Sequence, residues 1–142
     1  SDVSYDMLTD LIGFWIRRAQ LVVMKSFGQH LVDLDIRPVE AAALVLIGRN
    51  KDVSQNVLAA ALGTDQATMV AICTRMEARK LISRRRLSTD RRYQTLSLTP
   101  EGKRISMFVK KRLRTHNENV VRNLSAVQRK QLLSFLQDIV QT

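Results

Sequence analysis

The sequence predicts a mainly α-helical fold that contains one small β-hairpin. Only five Gly and two Pro occur among the 142 residues, so the chain has few of the residues that interrupt helices. Apolar residues recur at the three- and four-residue spacing of amphipathic helices over most of the chain. The spacing changes to alternation within residues 81–99, which indicates two short strands joined by a polar turn.

The length and the charge of the chain limit what it can be. A chain of 142 residues, 45% of them apolar, can build one compact unit over residues 1–142. The net charge is +10, and residues 79–92 hold seven basic side chains and one acidic side chain. This surplus predicts a polyanionic partner, either nucleic acid or an acidic membrane surface. Its concentration in one stretch favours a nucleic-acid-binding edge over a merely solvated basic surface.

Several classes of protein are disfavoured by what the sequence lacks. The single cysteine, Cys73, excludes an intramolecular disulfide, and no signal peptide or bilayer-spanning apolar run is present, so we expect a cytoplasmic protein with no membrane partner. The sequence has no Gly-rich phosphate loop and no nucleophile beside a suitable base, which predicts that it is not an enzyme and binds no cofactor. With His30 and His116 as the only histidines, we expect no metal site.

The first part of the chain predicts one long helix followed by a short one. From about Ser4 to Val32 there is no Pro, and apolar residues cover most of the helical circumference. One neighbouring helix is too little cover for such a surface, so we expect this helix inside a dimer interface. Pro38 then starts a second, nearly all-apolar helix over residues 39–48.

Residues 54–79 predict two short helices joined by a tight turn, which is the pattern of a helix-turn-helix. Ser54 is the expected N-cap of the third helix, Gly63 ends it, and Asp65 caps the fourth. The predicted buried stripe of the third helix consists of Val57, Leu58, Ala61 and Leu62. The predicted core-facing residues of the fourth helix are Met69, Ile72, Cys73 and Met76.

Two further helices are predicted after the hairpin. Thr99 and Pro100 have the residue types of a helix start, and Ser125 with Gln128 forms a capping box for the last helix. The side chains expected to point inward from the fifth helix are Ile105, Phe108, Val109, Leu113 and Val120. The apolar stripe of the sixth helix consists of Leu132, Leu133, Leu136, Ile139 and Val140. The predicted organisation is a winged helix-turn-helix over residues 37–99 and a helical dimerisation region over residues 1–34 and 100–142.

Four short motifs resemble the MarR family of bacterial and archaeal transcription regulators: Leu62-Gly63-Thr64-Asp65, Leu81-Ile82, Ser88-Thr89-Asp90-Arg91-Arg92 and Leu98-Thr99-Pro100-Glu101-Gly102. The resemblance implies a triangular homodimer in which the first, fifth and sixth helices interlock. It also implies that the fourth helix enters the major groove of a pseudo-palindromic operator, that the wing tip reaches the minor groove, and that repression is relieved by a small ligand or an oxidant.

The outward face of the fourth helix supplies the candidates for the major groove. These are Gln66, Ala67, Thr68, Val70, Ala71, Thr74 and Arg75. Val70 and Ala71 can contact thymine methyl groups but cannot hydrogen-bond to a base edge, so specificity is expected to rest on the polar residues and on DNA shape. Three roles remain open for Arg75: contact with a base, contact with phosphate, or bracing of the helix.

The wing supplies a second set of candidates. Asp90 and Arg92 are spaced so that the carboxylate can hold the guanidinium toward a narrow minor groove, although an ordinary turn aspartate beside a solvated arginine would have the same sequence. Arg84, Arg86 and Arg91 are expected to contact phosphates.

Arg18 interrupts an otherwise apolar helix on the same side as Trp15, and a partly buried arginine requires an anionic partner. That partner is either an internal acid or the carboxylate of an effector. We hypothesise that a small organic anion, such as an aromatic carboxylate or its thioester, binds near Trp15, Arg18 and His116, where the first and second helices meet the fifth. His116 also fits a hydrogen-bonded core position.

Cys73 is interpreted as a small core residue with an inert thiol. Peroxide-sensing members of the family carry their reactive cysteine in the first helix, where this chain has none. The predicted function is therefore that of a sequence-specific, ligand-responsive repressor that binds double-stranded DNA. The alternative is a basic architectural or RNA-binding protein with weak sequence preference and no effector.

Overall fold

A computed structural model describes residues 2–86 and 94–141, with only the backbone described for Arg86. The helices are α1 (Ile12–Leu31), α2 (Pro38–Arg49), α3 (Gln55–Leu62), α4 (Gln66–Ala78), α5 (Pro100–Val120) and α6 (Ala126–Val140). The strands are β1 (Val53–Ser54), β2 (Ile82–Arg86) and β3 (Gln94–Leu98). The described residues therefore confirm the predicted fold class, which is mainly helical with a small hairpin.

The first helix is shorter than predicted. Instead of starting near Ser4, α1 starts at Ile12, and a separate 3-10 turn occupies Asp6–Asp10. Leu11 between them has an extended backbone, with φ −97° and ψ 128°, which stops the α-helical hydrogen-bond ladder. The indole N–H of Trp15 donates to the carbonyl of Thr9 at 2.8 Å, which holds the turn against the start of the helix.

The predicted caps of the helix-turn-helix are confirmed. The hydroxyl of Ser54 accepts a hydrogen bond from the backbone N–H of Val57 at 3.2 Å. Gly63 ends α3 in the left-handed region, at φ 66°, where the absence of a Cβ removes the steric penalty. The carboxylate of Asp65 then accepts from the N–H of Thr68 at 2.7 Å and starts α4. These caps fix where each helix begins and ends.

The buried face of α4 is as predicted, whereas that of α3 is rotated. All four predicted residues of α4 are buried. In α3 the buried residues are Leu58 and Ala59, while Val57 is 59% exposed and Ala61 is also exposed. Every residue from 57 to 62 is apolar, so the periodicity within this segment does not specify which side faces the core.

The hairpin is confirmed and gains a third strand that the sequence analysis missed. The antiparallel order is β1-β3-β2, with Val53 opposite Leu96 and Ile82 opposite Leu98. β1 has only two residues, which is too short for an alternating pattern to be recognised. The added strand joins the base of the wing to the start of α3.

The fifth helix begins as predicted and packs closely on the wing base. The hydroxyl of Thr99 accepts from the N–H of Gly102 at 3.0 Å. A Cβ at Gly102 would lie 1.9 Å from the carbonyl oxygen of Leu81, so this approach requires glycine. Ile105 is buried as predicted, but the prediction for Phe108 is wrong for the single chain, because its side chain is 44% exposed.

The sixth helix leaves its whole apolar face uncovered. Its capping box between Ser125 and Gln128 is present, yet none of its 15 residues is buried in the single chain. Leu133 is 59% exposed and Phe135 is 62% exposed. An isolated helix of this length is marginally stable in water, so its face needs cover that the described part of one chain does not supply.

Two surveys of the described residues concern membranes and metals. No single helix in residues 2–86 and 94–141 is long and apolar enough to cross a membrane, and α3 with α4 meets that test only as a pair bent by 115°. The same residues contain no group of three or more His, Cys, Asp or Glu side chains placed to hold a metal ion.

Candidate nucleic-acid interface and effector region

The outward face of α4 forms a row of exposed small and polar side chains. Six of the seven residues predicted for the major groove are exposed, namely Gln66, Ala67, Thr68, Val70, Ala71 and Thr74. Because the opposite side of α4 is buried in the core, this row has a fixed direction relative to the rest of the helix-turn-helix. The centre of this face, at Val70 and Ala71, is apolar.

The capping and wing contacts occupy part of the hydrogen-bonding capacity of this row. The hydroxyl of Thr68 donates to Oδ2 of Asp65 at 2.8 Å, and the two bonds from Thr68 hold the pKa of Asp65 below its ordinary value. The hydroxyl of Thr74 accepts from the guanidinium of Arg84 at 3.2 Å. Thr74 can still donate to a base, and the amide of Gln66 can both donate and accept.

Arg75 differs from the rest of the row because its side chain is half-buried and its guanidinium is held by other residues of the protein. Its Nε donates to Oε2 of Glu40 at 2.9 Å, and Nη2 donates to the backbone oxygen of Asp35 at 3.2 Å. Glu40 is fully buried, and its other oxygen accepts from the N–H of Arg37 at 2.9 Å. Of the three roles left open for Arg75, this geometry matches the brace.

Arg79 makes a second contact of the same kind that the sequence analysis missed. Its guanidinium donates to the backbone oxygen of Asp35 and, at 3.2 Å, to that of Leu34. The sequence did hold a signal for this contact: Arg79 lies four residues after Arg75, and residues four apart lie on the same helix face. Glu40 was also missed, although its position after the helix-starting Pro38 is typical of a capping glutamate.

Arg84 lies between the wing and α4. Its side chain is only 22% exposed, and besides its bond to Thr74 its Nε lies 3.7 Å from Oε2 of Glu77. Arg85, the next residue in β2, is exposed. The side chain predicted to contact phosphate at Arg84 is therefore already packed against α4.

The other wing candidates are described less fully. The backbone of Arg86 ends β2, while Asp90, Arg91 and Arg92 lie outside the described residues. The minor-groove role of Arg92 stays a prediction.

Around Trp15, the candidate effector residues are exposed rather than enclosed in the single chain. Trp15 is 53% exposed, and the guanidinium of Arg18 lies 5.3 Å from the ring centre of Tyr5 and 5.4 Å from that of Phe14. Within residues 2–86 and 94–141, no acidic side chain forms an ion pair with Arg18, so the internal acid considered as its partner is not found there. Aromatic faces attract a cation electrostatically, so they take the place of that acid.

His116 lies in the core, as the alternative for this residue predicted. Its Nδ1 is 2.9 Å from the hydroxyl of Ser26 in α1, and its ring stacks on Phe27 with centroids 5.0 Å apart. Burial lowers the pKa of His116, and the charge of nearby His30 lowers it further. Arg18 precedes Ser26 by eight residues, about 12 Å along the helix. The single chain therefore does not bring His116 and Arg18 to one point.

Cys73 is buried on the core side of α4, and burial raises the pKa of its thiol. A protonated, enclosed thiol is a poor nucleophile, which agrees with the interpretation of Cys73 as an inert core residue.

Comparison with known proteins supports the helix-turn-helix and wing arrangement. The model of the MarR family matches residues 34–92. The transcriptional repressor CouR, solved with a 23-mer DNA duplex, is 30% identical and superposes with a TM-score of 0.91 over 99% of both chains. The chain belongs to the MarR family. This MarR-family protein is also similar to CouR from Rhodococcus jostii RHA1 bound to p-coumaroyl-CoA, with 27% identity, a TM-score of 0.83 and 94% of each chain covered.

A further relative is a proposed transcriptional regulatory protein for the hcr operon of Thauera aromatica. It is 27% identical over 126 residues, which cover 88% of this MarR-family chain and 76% of the relative.

Proposed function

We propose that this MarR-family protein is a homodimeric repressor that binds a specific pseudo-palindromic site in double-stranded DNA and acts in the cytoplasm. The observation that carries the proposal is the exposed face of α4, which is capped at Asp65 and attached to the wing through Arg84 and Thr74. A helix with a buried back and a small, partly polar front fits the major groove. The net charge of +10 supplies attraction to phosphates.

The uncovered apolar faces support the dimer. On α1, Ile12 is 70% exposed and Val22 is 63% exposed, and α6 has no buried residue. Apolar faces of this extent mark an interface, and two-fold symmetry would present two α4 helices to one duplex. The CouR structure with a DNA duplex supports the binding of double-stranded DNA by similarity.

Selection from random-sequence duplex DNA tests this function. The parent protein should enrich a pseudo-palindrome whose half-sites lie about one helical turn apart. Ala71→Glu places a carboxylate on the exposed face of α4 and should abolish the enrichment. Asn123→Glu makes the same charge change at an exposed position in the turn between α5 and α6 and should retain it. Binding without any symmetric motif would instead support the architectural alternative.

We further propose that a small organic anion, an aromatic carboxylate or its thioester, releases the DNA. Arg18 supports this because an exposed guanidinium beside Tyr5, Phe14 and Trp15 combines one charge with aromatic surface. Trp15 and Arg18 lie on the uncovered part of α1, so a pocket that includes them and His116 would need the second chain. The complex of CouR with p-coumaroyl-CoA supports this class of ligand by similarity.

Titration of the protein–operator complex tests the effector. The probes are p-coumaroyl-CoA, free p-coumarate and coenzyme A alone, read by fluorescence anisotropy of labelled DNA. A coupling of about 1–3 kcal/mol between ligand and DNA would be typical. Arg18→Ala should need more ligand for release, whereas Arg17→Ala, at the neighbouring position of α1, should behave like the parent. Equal release of parent and Arg18→Ala would remove Arg18 as the anchor.

A further inference from the structure

The connection between α1 and α2 contains a residue with an uncommon backbone. Asp35 has φ 51° and ψ 44°, in the left-handed region of backbone conformation that residues other than glycine adopt uncommonly. It follows the 3-10 turn Val32–Leu34 and precedes Pro38, the first residue of α2. The chain passes here from α1, which we assign to the dimer, into the helix-turn-helix.

Two arginines at the C-terminal end of α4 hold this connection: Arg75 lies in the helix, and Arg79 directly follows its last residue. Arg75 and Arg79, one helical turn apart, both donate to the backbone oxygen of Asp35. Arg79 also donates to Leu34, and Arg75 lies 3.4 Å from the carboxylate of Asp35. Most of the acceptors in the connection are backbone oxygens. These hydrogen bonds therefore depend on the path of the main chain between α1 and α2.

Glu40 fixes the direction of the Arg75 guanidinium. Its carboxylate is fully buried and joins the Nε of Arg75 to the N–H of Arg37, at 2.9 Å each. A buried charged group needs a partner, because water does not solvate it. If Arg75 left Glu40, the buried carboxylate of Glu40 would lose its charged partner. Arg75 is therefore committed to the protein rather than available to a base.

We propose that Arg75 and Arg79 are positioning residues that set the placement of α4 relative to the dimer base, and thereby the half-site spacing that the protein accepts. The inference rests on the proposed function. If the angle between α1 and α2 changes, the carbonyl of Asp35 moves, and the two guanidiniums carry α4 with it. Specificity for spacing is then set by side chains that touch no base.

A series of operators with altered spacing tests this role. The selected operator is compared with duplexes that have one base pair inserted or removed between the half-sites, which rotates one half-site by about 34°. The parent should prefer the selected spacing by about tenfold, and Arg79→Ala and Glu40→Gln should each reduce this preference to about threefold or less. Arg104→Ala removes a surface ion pair with Glu101 and should keep the preference of the parent.

Affinity for an isolated half-site separates positioning from base contact. For Arg79→Ala, Arg75→Ala and Glu40→Gln it should stay within about twofold of the parent, and Glu40→Gln combined with Arg75→Ala should be no worse than either alone. If Arg75→Ala loses half-site affinity while Glu40→Gln retains the spacing preference, Arg75 contacts a base and the proposal is overturned. It is also overturned if the variants have a lower Tm but keep the spacing preference of the parent. Failure of the parent to select any operator would instead refute the proposed function.

Discussion

The imidazole of His116 in α5 lies 2.9 Å from the hydroxyl of Ser26 in α1, which joins the two longest helices through a buried polar contact. The Nδ1 of His30 is also within hydrogen-bonding distance of the Ser26 carbonyl, at 2.7 Å. Both histidines of the chain thus meet at one residue of α1. Phe27 stacks on His116, so the ring is enclosed by apolar as well as polar neighbours.

Stability should fall as the pH falls below about 6.5, the ordinary pKa of histidine. The pKa of His116 is lowered by burial and then by His30, so the unfolded chain binds this proton more tightly than the folded chain. The stabilisation is complete above pH 6.5 and is lost as the pH approaches the folded-state pKa.

Urea midpoints at pH 7.5 and 5.5, at one fixed protein concentration, measure this effect. His116→Asn should lose less stability than the parent between the two values, while His30→Asn, which leaves His116 buried, should keep most of the pH dependence. Equal losses in the parent and His116→Asn would refute the role of His116.

A charge on α6 should disrupt the dimer. Leu133 in α6 and Val57 in α3 are both 59% exposed in the single chain, so they form a matched pair. Leu133→Glu should shift the protein from dimer to monomer or unfolded chain in sedimentation velocity, whereas Val57→Glu should remain dimeric. A parent protein that is a monodisperse monomer at micromolar concentration would contradict the assignment of α1 and α6 to the interface.

Removal of the predicted minor-groove side chain should weaken specific binding. Arg92→Ala is expected to cost about 1–3 kcal/mol for the operator and much less for unrelated DNA. Asp90→Ala should cause part of the same loss, because the carboxylate is predicted to orient the guanidinium. Anisotropy titrations with operator and scrambled duplexes measure the difference. Operator affinity unchanged in Arg92→Ala would show that the wing tip does not read the minor groove.

The two neighbouring arginines of β2 should have different effects. Arg85 is exposed, so Arg85→Ala should weaken binding to all sequences alike and reduce the salt slope by about one unit if the residue contacts phosphate. Arg84 packs against Thr74, so Arg84→Ala should also lower the Tm and the preference for the operator. Identical effects of both substitutions on Tm and on sequence preference would exclude a bridging role for Arg84.

Local chemistry explains which parts of the fold were predictable. Ser54, Asp65 and Thr99 each accept from an N–H group three residues further on, so their capping roles are visible in short sequence patterns. The orientation of α3 could not be predicted in this way. Residues 57–62 are all apolar, and packing against neighbouring helices decides which side is buried.

The candidate site was harder to predict than the helix caps, because its contacts join residues that are distant in the sequence. Arg75 and Glu40 are 35 residues apart, and no local pattern pairs them. Likewise, the contact of Arg18 with Tyr5 depends on the 3-10 turn at Asp6–Asp10, which helical periodicity in the sequence does not separate from α1. The outward row of α4 was predictable because helical periodicity alone separates it from the buried face.

Footprinting of the selected operator tests the central claim, that two α4 helices of one dimer bind successive major grooves. Dimethyl sulfate probes guanine N7 in the major groove, and hydroxyl radicals probe the backbone beside the minor groove. We expect two symmetric major-groove protections about one helical turn apart, flanked by minor-groove protections from the wings. A single protected patch, or uniform weak protection along the duplex, would contradict it.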